Sequence, residues 1–123
     1  MDDLSTRASS LEQSLLTVAT ECWRFSKLFT RVLGRLEPGE ENRYASQFRH
    51  FQRRVDESLA ASQLTLVNVE GKTFESGMAA EALNIADFGP EDILVVDQML
   101  EPIIVGPDGL KKQGKVMLRR VSP

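Results

Sequence analysis

The chain has 123 residues, of which 41% are hydrophobic and 27% charged, and its net charge is −3. This length allows one domain, or a helical part plus one small module, and the mild acidity argues against nucleic-acid binding through a summed positive field. The single cysteine, Cys22, excludes an internal disulfide, and no apolar run approaches the ~18 residues of a membrane span. Because the N-terminus opens with Asp2 and Asp3 and lacks the basic start of a signal peptide, we expect a cytoplasmic protein with no membrane attachment.

The first predicted element is a long helix over about residues 4–36. Apolar residues recur there at alternating spacings of four and three, which is typical of a helical seam that faces another helix. The series is Leu4, Ala8, Leu11, Leu15, Val18, Cys22, Phe25, Phe29, Val32 and Leu36. Gly34 weakens the last turns, and Pro38 disfavours helical geometry at Glu37, so the pattern predicts a turn over residues 37–40.

A second amphipathic helix is predicted over about residues 40–61, with its apolar stripe formed by Tyr44, Phe48, Phe51, Val55 and Leu59. Two such helices joined by a short turn make an antiparallel hairpin. The hairpin leaves apolar surface uncovered, above all the aromatic cluster Trp23, Phe25, Phe29, Phe48 and Phe51. Pairing two hairpins into a dimeric four-helix bundle would cover it. The residues expected at the dimer interface are Leu11, Leu15, Val18, Cys22, Phe25, Phe29, Val32, Phe48 and Phe51.

Basic residues between the aromatics of the second helix offer another interpretation, an RNA or DNA face. They are Arg43, Arg49, His50, Arg53 and Arg54. Two features make nucleic-acid binding unlikely: the aromatics occupy the helical core stripe, and Asp56 and Glu57 follow at once. We interpret His50, the only histidine, as a surface residue, since a zinc site would need further ligands nearby.

The pattern changes at Gln63, and residues 63–123 are predicted to form a small, mostly antiparallel β domain after a helical domain of residues 1–62. The strands expected from apolar and β-branched runs cover residues 64–69, 92–100, 103–105 and 110–121. The second of these has an apolar, buried start, and the third follows Pro102 as an edge strand or after a bend. Gly106 to Gly109 is a turn that leads into a closing hairpin, with Val116 and Leu118 on one face and Met117 and Arg119 on the other. The expected fold class is therefore α+β.

No constellation for catalysis is visible, so we expect no enzyme, no metal and no cofactor. The segment 106–114 lacks the G-x-x-x-x-G-K-[ST] form of a phosphate loop, and Asp97 inside an apolar strand is expected to face water. A binding protein fits better, since a β module of this size works through its surface. Apolar residues around Phe74, Met78, Ile103 and Ile104 are the candidate contact patch, with core filling as the alternative for each.

The order of these parts resembles the GrpE family, the nucleotide exchange factors of DnaK-type chaperones. In that family a helix pair is followed by a β domain that opens with a glycine, an aromatic residue, an acid and a turn. Residues 69–78 read Val-Glu-Gly-Lys-Thr-Phe-Glu-Ser-Gly-Met, and Glu-Pro-Ile-Ile at 101–104 and Gly-Lys-Val at 114–116 are similar to a short, divergent branch of the family. Ser76 stands where the family carries proline, and the histidine that follows there is absent. The resemblance favours a strand over residues 78–85, where propensity alone leaves helix open.

The resemblance implies a dimeric co-chaperone that binds the ATPase domain of a DnaK-type chaperone and promotes ADP release. The implied partner contacts are Phe74, Glu75, Met78, Ile103, Lys111 and Lys115. Two alternatives remain: a dimeric scaffold or adaptor subunit without exchange activity, and a nucleic-acid-binding regulator that uses Arg43 to Arg54.

Overall fold

A computed structural model describes residues 2–121. Within these residues the chain has two long helices followed by six short strands and one 3₁₀ helix, so the expected α+β class is confirmed. The chain divides into two compact units, Met1–Ser62, which holds the helices, and Gln63–Pro123, which holds the sheets.

The first helix, α1, spans Asp2–Leu33 and ends three residues earlier than predicted. Beyond Leu33 the chain continues in tight turns, in which Arg35 N donates to Val32 O at 3.0 Å and Leu36 N donates to Leu33 O at 3.2 Å. Glycine at position 34 explains the early end, because glycine is about 1 kcal/mol less favourable than alanine inside a helix.

The second helix, α2, spans Pro38–Ala61 and begins two residues earlier than predicted. Glu37 is extended (φ −62°, ψ 147°), as the following proline requires, but Pro38 itself is the first helical residue. A proline fits there because the first helical N–H has no partner within the helix. Glu40 and Glu41 lie in the first turn, where the positive end of the helix dipole favours acidic side chains.

The β unit contains two three-stranded sheets. Its strands are β1 (Thr65–Val67), β2 (Ala80–Ala82), β3 (Leu94–Glu101), β4 (Ile103–Gly106), β5 (Gly109–Lys112) and β6 (Gly114–Arg120). One sheet has the order β1-β4-β5 and the other the order β2-β6-β3. All pairs are antiparallel except β2 with β6, which is parallel.

One long bent hairpin links the two sheets. Only Pro102 separates β3 from β4, and only Gln113 separates β5 from β6. The first arm pairs with the second on both sides of the bend, as β3 with β6 and as β4 with β5. The hairpin closes through the predicted turn, where Gly109 has a φ of 124°, a left-handed value that suits glycine.

Of the two alternatives for the segment after Pro102, continuation after a bend is correct and the edge strand is wrong. The segment is the central strand of its sheet, because the proline stands between the hydrogen-bonded ladders and not within one. One further strand prediction needs correction. Of residues 78–85, only Ala80–Ala82 form a strand, and a 3₁₀ helix, Ile85–Asp87, follows. The strand state of this alanine-rich segment comes from its pairing with β6, which propensity does not report.

The core of the β unit is formed by side chains from β3, β4 and β6. Val96, Met99, Ile104 and Val116 are each below 2% exposed. Val116 and Leu118 are buried while Met117 is half-buried and Arg119 exposed, so the predicted alternation in the last strand is confirmed. The predicted buried start of β3 is wrong for Ile93, which is 65% exposed, since burial begins at Leu94.

Candidate functional site

An exposed line of apolar residues runs along α1 at every seventh position. Its members are Leu4, Leu11, Val18, Phe25 and Val32, and their exposed fractions range from 77% at Leu4 to 42% at Val32. In the other half of the predicted seam, Leu15, Cys22, Phe29 and Leu36 are half-buried and Ala8 is exposed. A single neighbouring helix covers only one side of such a stripe, so the exposed line still lacks a partner.

A groove between α1 and α2 opens beside this line and has a volume of about 330 Å³. Its lining is Leu15, Val18, Ala19, Cys22, Phe51, Arg54, Val55, Ser58 and Leu59. Apart from Arg54 and Ser58 these side chains are apolar. The groove has room for a large apolar side chain, since an apolar cavity of ~150 Å³ already holds a benzene ring.

Four phenylalanines form a continuous aromatic row across the hairpin. Their ring centroids are 5.7 Å apart for Phe25 and Phe29, 4.9 Å for Phe29 and Phe48, and 6.4 Å for Phe48 and Phe51. Such separations are favourable for aromatic pairs. The two ends are exposed, 52% at Phe25 and 38% at Phe51, so the row begins and ends at the surface.

The aromatic cluster and the interface residues predicted from the sequence thus differ in solvent exposure. Phe48 is only 8% exposed and fills the interior of its own hairpin, which corrects its assignment to a surface between copies. Trp23 stands outside the row, and Lys27 Nζ lies 5.2 Å from the centroid of its ring. The remaining predicted interface residues are exposed or half-buried.

The basic side chains of α2 are exposed but have neighbours on their own helix. Arg53 lies 3.2 Å from His50 Nδ1 and 3.8 Å from Glu57, and Arg54 lies 3.6 Å from Glu57. Arg43 donates to the Tyr44 hydroxyl at 3.1 Å. These contacts are those of a solvated helical face, and they favour no nucleic-acid site.

In the β unit, the segment that carries the GrpE-like residues lies along the free edge of β3. Gly71 N donates to Val96 O at 2.8 Å, Val96 N donates to Lys72 O at 2.9 Å, and Phe74 N donates to Leu94 O at 2.9 Å. Gly71 has a φ of 84°, a conformation that glycine adopts without strain. This pairing fixes the backbone of the segment and leaves Phe74 and Met78 half-buried and Glu75 exposed.

A buried carboxylate with two lysines lies at the opposite end of β3. Glu101 is 5% exposed, and its Oε1 accepts from Lys112 Nζ at 2.6 Å while its Oε2 lies 3.9 Å from Lys115 Nζ. The ion pairs balance a charge that would be costly to bury alone. Lys115, a predicted partner contact, therefore also forms an ion pair with a buried residue of its own chain.

The six predicted partner contacts do not form one surface. Phe74 lies at Leu94 and Lys115 at Glu101, the two ends of the eight-residue strand β3, which are roughly 20 Å apart. Ile103 is 5% exposed and belongs to the core, so it must be removed from the candidate surface, and Ile104, at 0%, follows it. Lys111 is half-buried in β5, where its stem packs against Gly106. Phe74, Glu75 and Met78 remain together as one candidate contact, named here the Phe74 segment.

Two acidic residues, Asp92 just before β3 and Asp97 in the middle of it, have structural partners. Asp92 accepts from Gly89 N at 2.8 Å and pairs with Arg120 at 3.0 Å, and these two interactions lower the pKa of the Asp92 carboxyl. Asp97 is exposed, as expected, and lies 3.4 Å from Arg119. Both carboxylates are explained by these ion pairs and need no catalytic role.

Sequence reasoning missed several exposed apolar residues of the β unit. They are Leu83, Ile85, Ile93, Leu110 and Val121. Ile93 and Val121 are neighbours, since Val121 N donates to Ile93 O at 2.9 Å. Ile93 opens the continuous apolar run 93–96, which carries no alternation from which its exposure could be read.

No group of three or more His, Cys, Asp or Glu side chains within residues 2–121 is arranged to hold a metal ion. Neither described helix has an apolar stretch sufficient to cross a membrane. Compared with known proteins, the chain matches no protein-family model, no curated protein and no solved structure.

Proposed function

We propose that the chain is a GrpE-like co-chaperone, a cytoplasmic homodimer that binds the ATPase domain of a DnaK-type chaperone and promotes ADP release. The observation that carries this proposal is the placement of the GrpE-like residues. Gly71 and Phe74 belong to one edge segment of a compact β unit, and that unit follows a helical hairpin with an uncovered apolar line.

The uncovered line supports the dimeric part of the proposal. Each large apolar side chain removed from water contributes ~1.5–3 kcal/mol, and the line together with Leu28 and Phe51 offers seven such residues. A second hairpin laid on this face would complete a four-helix bundle. The gain must exceed the entropy of association, ~4–15 kcal/mol, which several buried residues can supply together.

The proposed activity needs no bond chemistry. A co-chaperone that binds the open form of the ATPase domain better than the closed form shifts the equilibrium by its differential affinity. A thousandfold change in the ratio of open to closed forms requires ~4 kcal/mol of preference. The Phe74 segment provides an aromatic ring, a thioether and an exposed carboxylate. Hydrogen bonds to β3 hold its backbone in place, so these side chains can contact a partner without first having to become ordered.

Stopped-flow release of a fluorescent ADP from a DnaK-type chaperone tests the proposal directly. We expect faster release with this chain, and we expect Phe74→Ala and Glu75→Lys to reduce the acceleration. Asp108→Lys, at the exposed turn between β4 and β5 in the other sheet, serves as the matched charge change at a distant position. An unchanged release rate at saturating, demonstrated binding would contradict the exchange function and favour the adaptor alternative.

A further inference from the structure

We propose that two copies of the chain pair through their α1 helices in antiparallel orientation, with Phe25 of each copy seated in the groove of the other. This inference rests on the dimer of the proposed function and specifies its geometry. The two complementary features, an exposed ring and an apolar groove, lie on the same face of one hairpin. Val18 belongs to the exposed line and also lines the groove, and Phe51 lines the groove and ends the aromatic row.

Phe25 does not line the groove of its own chain. It lies three residues beyond Cys22, the last α1 residue in the lining, ~4.5 Å along the axis, and it is 52% exposed. A second copy running in the opposite direction brings its Phe25 level with Val18. The two-fold symmetry then places Phe25 of the first copy in the second groove, so both grooves are filled by one operation.

The same register matches two further residues of the exposed line. If the numbers of facing residues add up to 43, Val18 faces Phe25 and Leu11 faces Val32, while Leu4 extends beyond the end of the other copy's α1 at Leu33. Parallel pairing would instead set Phe25 against Phe25 and groove against groove. Two facing grooves leave a void, and voids forfeit the packing contacts that stabilise an interface.

The charge distribution along α1 favours the antiparallel arrangement as well. From Asp2 to Cys22 the chain has four acidic residues and one basic residue, whereas from Trp23 to Arg35 all four charged residues are basic. In the antiparallel register above, Glu12 of one copy lies level with Arg31 of the other, while Asp2 and Asp3 extend beyond the end of the other α1. Parallel pairing brings the two basic halves together, which is repulsive at separations within the ~10 Å screening length.

A geometric consequence follows for the ends of the hairpins. In the antiparallel dimer the two α2 helices end, at Ala61, on opposite ends of the bundle, so the two β units begin far from each other.

Disulfide cross-linking tests the orientation in a Cys22→Ser background. Leu11→Cys and Val32→Cys variants are prepared separately, mixed to allow exchange of subunits, and oxidised. We expect a cross-link between positions 11 and 32 in the mixture, identified by mass spectrometry, and none in either variant alone. In the antiparallel dimer, two copies of position 11 lie roughly 30 Å apart, which is too far for a disulfide.

Efficient self-cross-linking of each single variant would show parallel pairing and overturn the inference, while the exchange function would stand on its own ADP-release assay. A monomeric mass by light scattering would overturn it as well. A second measurement addresses the groove. Phe25→Ala should raise the dimer Kd at least tenfold, as for a central interface residue, and an unchanged Kd would contradict the seating of Phe25.

Discussion

The side-chain amide of Asn84 forms two hydrogen bonds with the backbone of Leu118: its Nδ2 donates to Leu118 O and its Oδ1 accepts from Leu118 N, both at 2.9 Å. The amide thereby extends the pairing with β6 from Val116 to Leu118, two residues after β2 has ended at Ala82. Asn84→Asp loses the donor and points a carboxylate oxygen at a carbonyl oxygen. We expect a loss of ~1–3 kcal/mol in the free energy of unfolding, measured by urea denaturation.

The matched control is Asn42→Ala, at an exposed position of α2, which should change the free energy of unfolding by less than ~0.5 kcal/mol. Equal stability of Asn84→Asp and the unsubstituted chain would show that the two hydrogen bonds contribute nothing net.

A second prediction concerns Gly114, which lies in a crowded part of the β core. A Cβ atom there would lie 2.9 Å from Met99 Cε, 3.0 Å from Glu101 O and 3.0 Å from Ile103 Cγ1. Because one of these atoms belongs to the backbone, Gly114→Ala should destabilise the protein by ~1–3 kcal/mol in thermal or urea unfolding. Gly77→Ala, with nothing within 4 Å of its added Cβ, is the control and should be near neutral.

A third prediction concerns the buried Glu101–Lys112 pair. Lys112→Met removes the partner 2.6 Å from a carboxylate that is 5% exposed, and should cost ~1–3 kcal/mol of unfolding free energy. Glu101→Gln in the same chain should recover part of that loss, because it removes the buried charge that has lost its nearer lysine. A double-mutant cycle measures the coupling, and purely additive losses would contradict it.

The Asp92 carboxyl should titrate below its ordinary pKa, because it accepts from Gly89 N and pairs with Arg120. A carboxyl with a lowered folded pKa stabilises the fold above the unfolded value of ~3.9, and the contribution is lost as pH falls through the folded pKa. NMR titration should therefore show a midpoint below ~3.9 for Asp92. Arg120→Ala should move the midpoint upward, and an unmoved midpoint would contradict the role of the ion pair.

The exposed end of the aromatic row gives a prediction on assembly. Phe25→Asp should yield monomers in light scattering, because a charge at a residue 52% exposed in one chain would become buried between two. Leu83→Asp, an equally exposed leucine of the β unit, is the control and should leave the mass unchanged. A dimer that survives Phe25→Asp would place the interface elsewhere.

The helical half could be predicted closely because its structure is local. The alternation of four and three residues identifies both helices, and Gly34 and Pro38 mark the connection to within a few residues. Which half of the seam stays exposed could not be predicted, since it depends on the side of α1 against which α2 packs.

The strands of the β unit were harder to predict from the sequence, because the strands that pair with each other are far apart along the chain. β2 is a strand through contacts with β6, more than thirty residues later, and β4 is central because β1, from the start of the unit, pairs with it. The same limit applies to the candidate site. Ile103 and Ile93 are equally apolar in the sequence, yet the first is buried and the second is exposed.

The bent hairpin has a consequence for how the β unit unfolds. Both sheets are built on the same two arms, so neither can lose its hydrogen bonds without releasing the strands of the other. We therefore expect the unit to unfold in a single cooperative transition, in which slow backbone amides on either side of Pro102 exchange with solvent deuterium at one common free energy of opening.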